Sequence, residues 1–438
     1  MLEVKWIALG EFTPNPHNAR THSKKQIGQI ANSIRQFGWT NPVLVDEFKV
    51  GIAGHGRAEA ARHLGLPKIP VIVLSGLSET QKRALALADN KIAANAGWDR
   101  PKLAAELGRL VDLPKELDFD IGITGFEPAE IDSLFGDLSD HEADPADESP
   151  GLGQQAFTVP GDLWVLADHR LLCGDAKREA DLAALMNAKP AAMVFTDPPY
   201  NVRISSIQGR GKTKHREFTE ASGEMSPEAF TRFLVESLSL AAAHSKEGAI
   251  HFVCMDWRHI GEMTAAGKQV YGDPRNLIVW AKNNAGQGSF YRSQHELIFV
   301  FKNGDAPHTN NIELGRYGRN RSNVWNYPGV NTFRTGRLDD LGAHPTVKPV
   351  ALVADAMRDC SRRGDIILDP FMGSGTTILA AERVGRLGYG IEIDPLYVDA
   401  AIQRWQNFTR RDAILEATGQ TFDEIAAERA HQTAGSCK

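Results

Sequence analysis

The sequence predicts an α/β protein, with a large domain built on a central, mostly parallel sheet and a smaller α+β domain in front of it. Three observations predict this. Over the second half of the chain, short apolar runs alternate with longer amphipathic stretches, as strands do when helices join them. The 438 residues exceed what one ordinary core holds, and at about 100 to 200 residues per domain two or three domains are expected. Between the halves lies a stretch of acids, Pro, Gly and polar residues with no apolar periodicity.

Along the first part, residues 1–136, Asn41–Val45 and Ile69–Leu74 read as short buried strands flanking a helix over Arg57–Leu64, within a core of residues 1–75. The region from Ser78 to Phe135 reads as mostly helical. Asp137, Asp140, Glu142, Asp144, Asp147 and Glu148 then follow with no Lys or Arg among them, and these six acids equal the whole formal net charge of -6. With the polar residues up to Gln155 they predict a solvated, flexible linker over 137–155. Strand-like runs follow at Leu163–Ala167, Ala192–Thr196, Ala249–Cys254, Leu277–Trp280, Leu297–Phe301, Ile366–Leu368 and Gly388–Ile393, within a domain of residues 156–412. Residues 413–438 are expected as a tail.

With 42% hydrophobic and 24% charged residues the composition is that of a soluble protein, and no uncharged apolar run reaches the roughly 18 residues a membrane span needs. No signal-peptide pattern opens the chain, so a cytoplasmic protein without membrane partners is expected. The four cysteines show no C-x-x-C spacing, which predicts neither a metal site nor a disulfide framework. No repeat of fixed period is present, which argues against a solenoid or propeller.

In an open parallel sheet, ligands bind at the carboxyl ends of strands. Two strand ends are unusual. The first runs from Met193–Thr196 into Asp197, Pro198, Pro199 and Tyr200, where the prolines fix the backbone and hold acid and aromatic ring in a set relation. An acid and a carbonyl there suit an exocyclic amine, whose N–H they accept. The ring suits a base that has left its stack. A rigid turn with a capping Asp is the bland alternative. The second strand end runs from Ile366–Leu368 into Asp369, Pro370, Phe371, Met372, Gly373, Ser374, Gly375 and Thr376, then a helical stretch. Its glycines let backbone approach a ligand at a helix N-terminus. Glu392 and Asp394 end the next strand, placed to grip ribose hydroxyls. A nicotinamide dinucleotide is the rival ligand, although Ile378 stands where the third glycine of its fingerprint belongs; no Gly-Lys-Ser/Thr follows, so a P-loop is excluded.

From about Gln155 to Arg410 the chain resembles the amino-methyltransferases of DNA, in the class whose D-P-P-Y motif precedes its D-P-F-x-G-S-G-T-T motif. Leu172-Cys173-Gly174-Asp175 and His344-Pro345-Thr346-Val347-Lys348-Pro349 match smaller family segments. The resemblance implies a Rossmann-like methyltransferase domain with Asp197, Pro198, Pro199 and Tyr200 as catalytic residues. It also implies S-adenosylmethionine as cofactor, held by Asp175, Lys348, Asp369, Pro370, Phe371, Gly373, Ser374, Gly375, Thr376, Glu392 and Asp394. Double-stranded DNA is the implied partner. Adenine N6 is the implied target, because Asp opens the tetrapeptide more often in adenine enzymes, with cytosine N4 as the alternative. A second copy of the chain and a separate restriction endonuclease are further partners in view. A DNA-binding module without catalysis is the reading from another class.

Trp280-Ala281-Lys282-Asn283-Asn284 and Tyr291 to Glu296 also resemble the family. Their aromatic and amide side chains are expected at a base pocket, with His295 and Glu296 read equally well as structural. Arg316, Tyr317, Arg319, Arg321, Trp325, Tyr327, Arg334 and Arg337 mark residues 302–343 as the expected target-recognition region. Basic residues from Arg203 to Arg216 suggest a DNA-clamping lid. Near the N-terminus, Gly54-His55-Gly56-Arg57 at a strand-to-helix turn suits an anion. Residues 1–74 resemble the N-terminal domain of ParB partition proteins, which implies CTP as a ligand at His55 and Arg57; docking to DNA or dimerisation without nucleotide is the alternative.

Overall fold

A computed structural model describes residues 3–111, 121–127, 130–132, 134, 145–147, 151–153, 155–202, 220–283, 290–312, 321–329 and 348–436. Two compact units divide the chain, Met1–Ser139 and Asp140–Lys438. The first carries a four-stranded sheet of β1 (Val4–Ala8), β2 (Val43–Asp46), β3 (Gly51–Ala53) and β4 (Lys68–Leu74) in the order β1-β4-β2-β3. Here β2 and β4 are parallel, and β1 and β3 are antiparallel additions at the edges. Val43, Val45, Ile69 and Val71 bury one face of the sheet against Ala58 and Ala61 of the helix His55–His63. The two edge strands escape sequence reading for different reasons: Gly51-Ile52-Ala53 is too short for any alternation to show, and β1 is mostly exposed. Beyond this sheet lie helices Glu79–Ala94, opened by a Ser78/Gln81 capping box, and Arg100–Val111. Ala104 and Leu107 pack with Ile131 and Leu134 in a small helical core.

The second unit is a ten-stranded sheet, made of β5 (Leu163–Leu166), β6 (His169–Cys173), β7 (Ala191–Thr196), β8 (Ser245–Met255), β9 (Asn276–Ala281), β10 (His295–Lys302), β11 (Val324–Asn326), β12 (Ile366–Asp369), β13 (Leu387–Glu392) and β14 (Ile414–Leu415). Their order is β11-β9-β10-β8-β7-β12-β13-β6-β5-β14, and the five central strands from β8 to β6 run parallel. Phe230, Phe233, Leu234 and Leu238 of the helix Pro227–Ala243, with the helix Val350–Cys360, help cover the sheet. Strand β6 was not expected. It pairs with β5 across Ala167-Asp168, and this two-residue hairpin places Ala167 at φ 55, a conformation that Asn or Gly would have signalled and Ala does not.

Two expectations need correction. Residues beyond 412 are not a tail: β14 joins the sheet beside β5, and the helix Phe422–Ser436 buries Phe422 and Ile425. Phe422 packs edge-on against Trp164, and Arg429 donates to the carbonyl of Phe157 and to Asp162. A signal for this helix stands in the sequence, where Thr421 and Glu424 cap each other reciprocally. The acidic stretch is not solvated throughout. Pro145–Asp147 forms a turn of 3-10 helix in which Ala146 is buried, its carbonyl accepting from Arg404, while Asp147 accepts the Val350 N–H at 2.8 Å.

Candidate active site

The two unusual strand ends are neighbours in space. β12 slots directly beside β7, with Leu368 opposite Val194, so Thr196 and Asp369 lie side by side although 173 residues separate them. Thr196 donates to Asp369 at 3.0 Å, and Thr377 donates to the other oxygen at 2.6 Å. Phe371 N–H also reaches Asp369, at 3.1 Å, which turns the chain off the strand. Burial pushes the Asp369 carboxyl up to about 6, and these three donors oppose the rise.

One cavity opens above these strand ends. Asp175, Asp197, Pro198, Pro199, Tyr200, Lys348, Asp369, Pro370, Phe371, Gly373, Ser374, Thr376, Glu392 and Asp394 all line it, so the fold brings together every expected site residue but one. Gly375 is the exception. It is the N-cap of the helix Thr376–Val384 at φ 85, and a Cβ there would lie 2.9 Å from Ala401 Cβ, so its lack of side chain serves helix packing. Gly373, at φ 54, donates its N–H to Glu392 at 2.8 Å, and Asp394 N–H donates to the second Glu392 oxygen at 2.9 Å. Burial raises the Glu392 carboxyl to about 7 against these donors. The Asp394 carboxylate itself accepts from Leu396 N–H and caps the helix Pro395–Thr409, a different duty from the ribose contact expected of it.

The wall around Asp197 is ionic. Lys348 was expected to face the cofactor, yet its ammonium contacts Asp197 Oδ2 at 2.5 Å, Glu296 Oε2 at 3.0 Å and the Tyr200 hydroxyl at 3.1 Å. The Tyr200 hydroxyl donates to Asp197 Oδ1, and Lys282 contacts Glu296 Oε1 at 2.5 Å. Burial raises the Asp197 carboxyl and Lys348 opposes it; for Glu296 burial is outweighed by Lys348 and Lys282, which hold it down at about 2. Glu296, read as equally structural from sequence, is thus part of the site. Sequence reading also missed Phe233 and Tyr397 on the cavity wall, and Arg404, which donates beneath the glycine loop to the Ser374 carbonyl and the Thr376 hydroxyl.

Other expected contacts lie elsewhere. Trp280 is buried behind the site, donating to the carbonyl of Tyr327, and Tyr291 is 82% exposed beside Phe290 on the β9–β10 connection. Of the expected recognition residues, Arg321, Trp325 and Tyr327 are turned inward. Arg321 donates to Asp359 at 3.0 Å and to the Tyr327 hydroxyl, and Trp325 is buried, so all three are engaged within their own chain. Arg316, Tyr317, Arg319, Arg334 and Arg337, the stretch Arg203–Arg216, and Asn284 and His344–Val347 lie outside the described residues. In the first unit Arg57 donates to the carbonyls of Asn41 and Pro42, at 3.1 and 2.7 Å, and His55 accepts the Asn15 N–H, so both are engaged with their own chain.

Residues 191–403, from β7 through the glycine loop into the helix Pro395–Thr409, match the DNA methylase family of N6 and N4 enzymes. Residues 1–91 match the ParB N-terminal domain, and residues 101–160 match the ParB-methyltransferase HTH domain. The chain carries an N6/N4 DNA methylase domain and a ParB-like N-terminal domain. The methylase is 55% identical over 82 residues to the ParB-like nuclease domain-containing protein YnaK of Escherichia coli (strain K12), covering 19% of this chain and 94% of YnaK. It is 28% identical over 253 residues to the type II methyltransferase M.HpaI of Haemophilus parainfluenzae, covering 54% of this chain and 74% of that enzyme. Its fold is also similar to the PvuII DNA methyltransferase (cytosine-N4-specific), at 16% identity and a TM-score of 0.41 over 58% of this chain and 89% of that one. The HTH domain was not anticipated: only a mostly helical stretch was legible over part of its span. Among the methylase's described residues, no helix is long and apolar enough to cross a membrane.

Proposed function

We propose that this methylase transfers the methyl group of S-adenosylmethionine to N6 of adenine in double-stranded DNA. The observation that carries this reading is the meeting of Asp197, Tyr200 and the glycine loop at one cavity, from adjacent parallel strands. The residues present fit the cofactor. Glu392 is a half-buried carboxylate on the cavity wall with acceptor capacity left for ribose hydroxyls, Gly373 brings bare backbone to the same wall, and Phe233 and Phe371 supply apolar surface. The bound cofactor supplies an electrophilic methyl group.

The chain's own residues do the rest by positioning and electrostatics. Asp197 and the Pro198 carbonyl accept the amine N–H groups, which turns the nitrogen lone pair toward the methyl donor. Tyr200 presents aromatic surface to a base displaced from its stack. Burial raises the Asp197 carboxyl, so it is a competent acceptor for the proton that the methylated nitrogen releases. The Asp at the start of the tetrapeptide favours adenine over cytosine.

Base-resolved sequencing of DNA from cells expressing the protein tests the reading. N6-methyladenine at a recurrent sequence supports it. N4-methylcytosine replaces adenine by cytosine, and unmodified DNA overturns the reading.

A further inference from the structure

Lys348 makes a more demanding arrangement than an ordinary ion pair. It is 4% exposed, and burying an ammonium is costly unless charge and hydrogen bonds compensate it. One carboxylate would meet that need, yet two converge on it, from the loop after β7 and from β10. Its backbone is also fixed: Pro349 follows, and the next N–H, of Val350, is held by Asp147. The ammonium lies 5.5 Å from the Tyr200 ring centre and 5.9 Å from that of Trp280, so aromatic faces and carboxylates confine it together.

This confinement has a consequence for Asp197. Tyr200 occupies one of its oxygens and Lys348 the other, which fixes the plane of the carboxylate. A carboxylate offers about four lone-pair sites, so acceptor capacity remains for an incoming amine. We propose that Lys348 is a positioning residue for methyl transfer, its ammonium aiming the Asp197 carboxylate at the acceptor amine while Glu296 anchors that ammonium. The inference rests on the methyl-transfer reading above, and it moves Lys348 from the cofactor side, where the resemblance put it, to the acceptor side.

The groups facing Asp197 come from several elements. Tyr200 lies on its own loop, Cys254 on β8, Glu296 on β10 with Lys282 behind it, Asp369 on β12, and Lys348 ahead of the helix Val350–Cys360. Lys348 is the cation in direct contact. Without it, burial and the negative charge of Glu296 both favour protonation of Asp197, and a protonated carboxyl loses acceptor capacity for the amine.

The test is the pH dependence of single-turnover methyl transfer in Lys348→Met and Lys348→Arg, with S-adenosylmethionine affinity measured by calorimetry on the same proteins. In Lys348→Met the acid limb of the rate profile is expected to move to higher pH by more than a unit, so that the rate at pH 6 falls about tenfold further than the rate at pH 9. Cofactor affinity is expected to be unchanged, and Lys348→Arg to keep the wild-type limb. If Lys348→Met does not fold, Lys348→Met with Glu296→Gln removes the uncompensated charge and is expected to show a smaller shift in the same direction, because burial then favours protonation of Asp197 without the charge of Glu296. An unmoved acid limb in the folded variant, or a loss confined to cofactor affinity, overturns the inference. A wild-type protein that transfers no methyl group to any DNA overturns the function instead.

Discussion

The two walls of the cavity are built by different forces. Around the glycine loop the contacts are mostly backbone N–H groups on carboxylates of the same loop or the neighbouring strand: Gly373 and Asp394 N–H groups on Glu392, Phe371 N–H on Asp369, with a left-handed Gly375 at the helix cap. Around Asp197 they are side-chain charges drawn from four separate parts of the chain, Lys282, Glu296, Lys348 and Asp197 itself. The first wall is a local conformation that a few residues specify. The second is a balanced set of two cations and two anions that exists only once the sheet is assembled. A local wall suits a cofactor of constant shape. A charge cluster, sensitive to each member, suits the wall to which the proposed function assigns the acceptor amine.

On the methyl-transfer reading proposed above, substitutions on the two walls are expected to separate binding from chemistry. Asp197→Ala is expected to lower methyl transfer to DNA by about a hundredfold to ten-thousandfold while cofactor still binds by calorimetry. Normal turnover in that variant removes Asp197 from the chemistry. Behind the other wall, Gly375→Ala is expected to destabilise the domain by about 1–3 kcal/mol in chemical denaturation, because φ 85 is unfavourable for Ala and its methyl meets Ala401. An unchanged midpoint denies the packing role.

Glu392 gives the loop wall a pH signature. Its folded carboxyl titrates near 7, above its ordinary 4.5, so the stability it contributes is complete below about 4.5 and is lost as pH rises through 7. Cofactor binding should run the other way, since ribose hydroxyls donate better to a carboxylate. Affinity is expected to rise about tenfold from pH 6 to pH 8 and to become flat in Glu392→Gln. A flat wild-type profile places Glu392 outside the cofactor contact.

The smallest effect is expected at a turn that resembles the glycine loop. Gly54 caps the helix His55–His63 at φ 90 and ψ 20, nearly the φ 85 and ψ 19 of Gly375, yet the neighbouring Arg57 is bonded to the Asn41 and Pro42 carbonyls. Arg57→Ala is expected to cost about 1–2 kcal/mol in thermal or chemical unfolding. Labelled CTP at millimolar concentration then asks whether this turn also holds phosphate. Stability unchanged together with lost CTP retention would make Arg57 a ligand contact.

Legibility followed the same division. The strand-to-loop transitions at Asp197 and Asp369, the glycine turn and four of the five parallel core strands, β7, β8, β12 and β13, were readable because each depends on residues adjacent in sequence, where proline, glycine and apolar periodicity act directly. The hairpin at Ala167 was not readable, since nothing local announces an alanine in a left-handed turn. Arg321 and Tyr327 carry the composition expected of a DNA contact, but the fold turns them onto Asp355 and Asp359.

By itself, then, the sequence determined an α/β protein with an acid-and-aromatic strand end and a glycine strand end, in that order along the chain. Only the tertiary structure decided that β12 lies beside β7, which makes the two ends one cavity, and that Lys348 and Glu296 meet at Asp197. The physical reason is range. Backbone torsion and periodicity act over a few residues, whereas the partner of a charged side chain depends on which strand and which helix end the assembled sheet brings beside it.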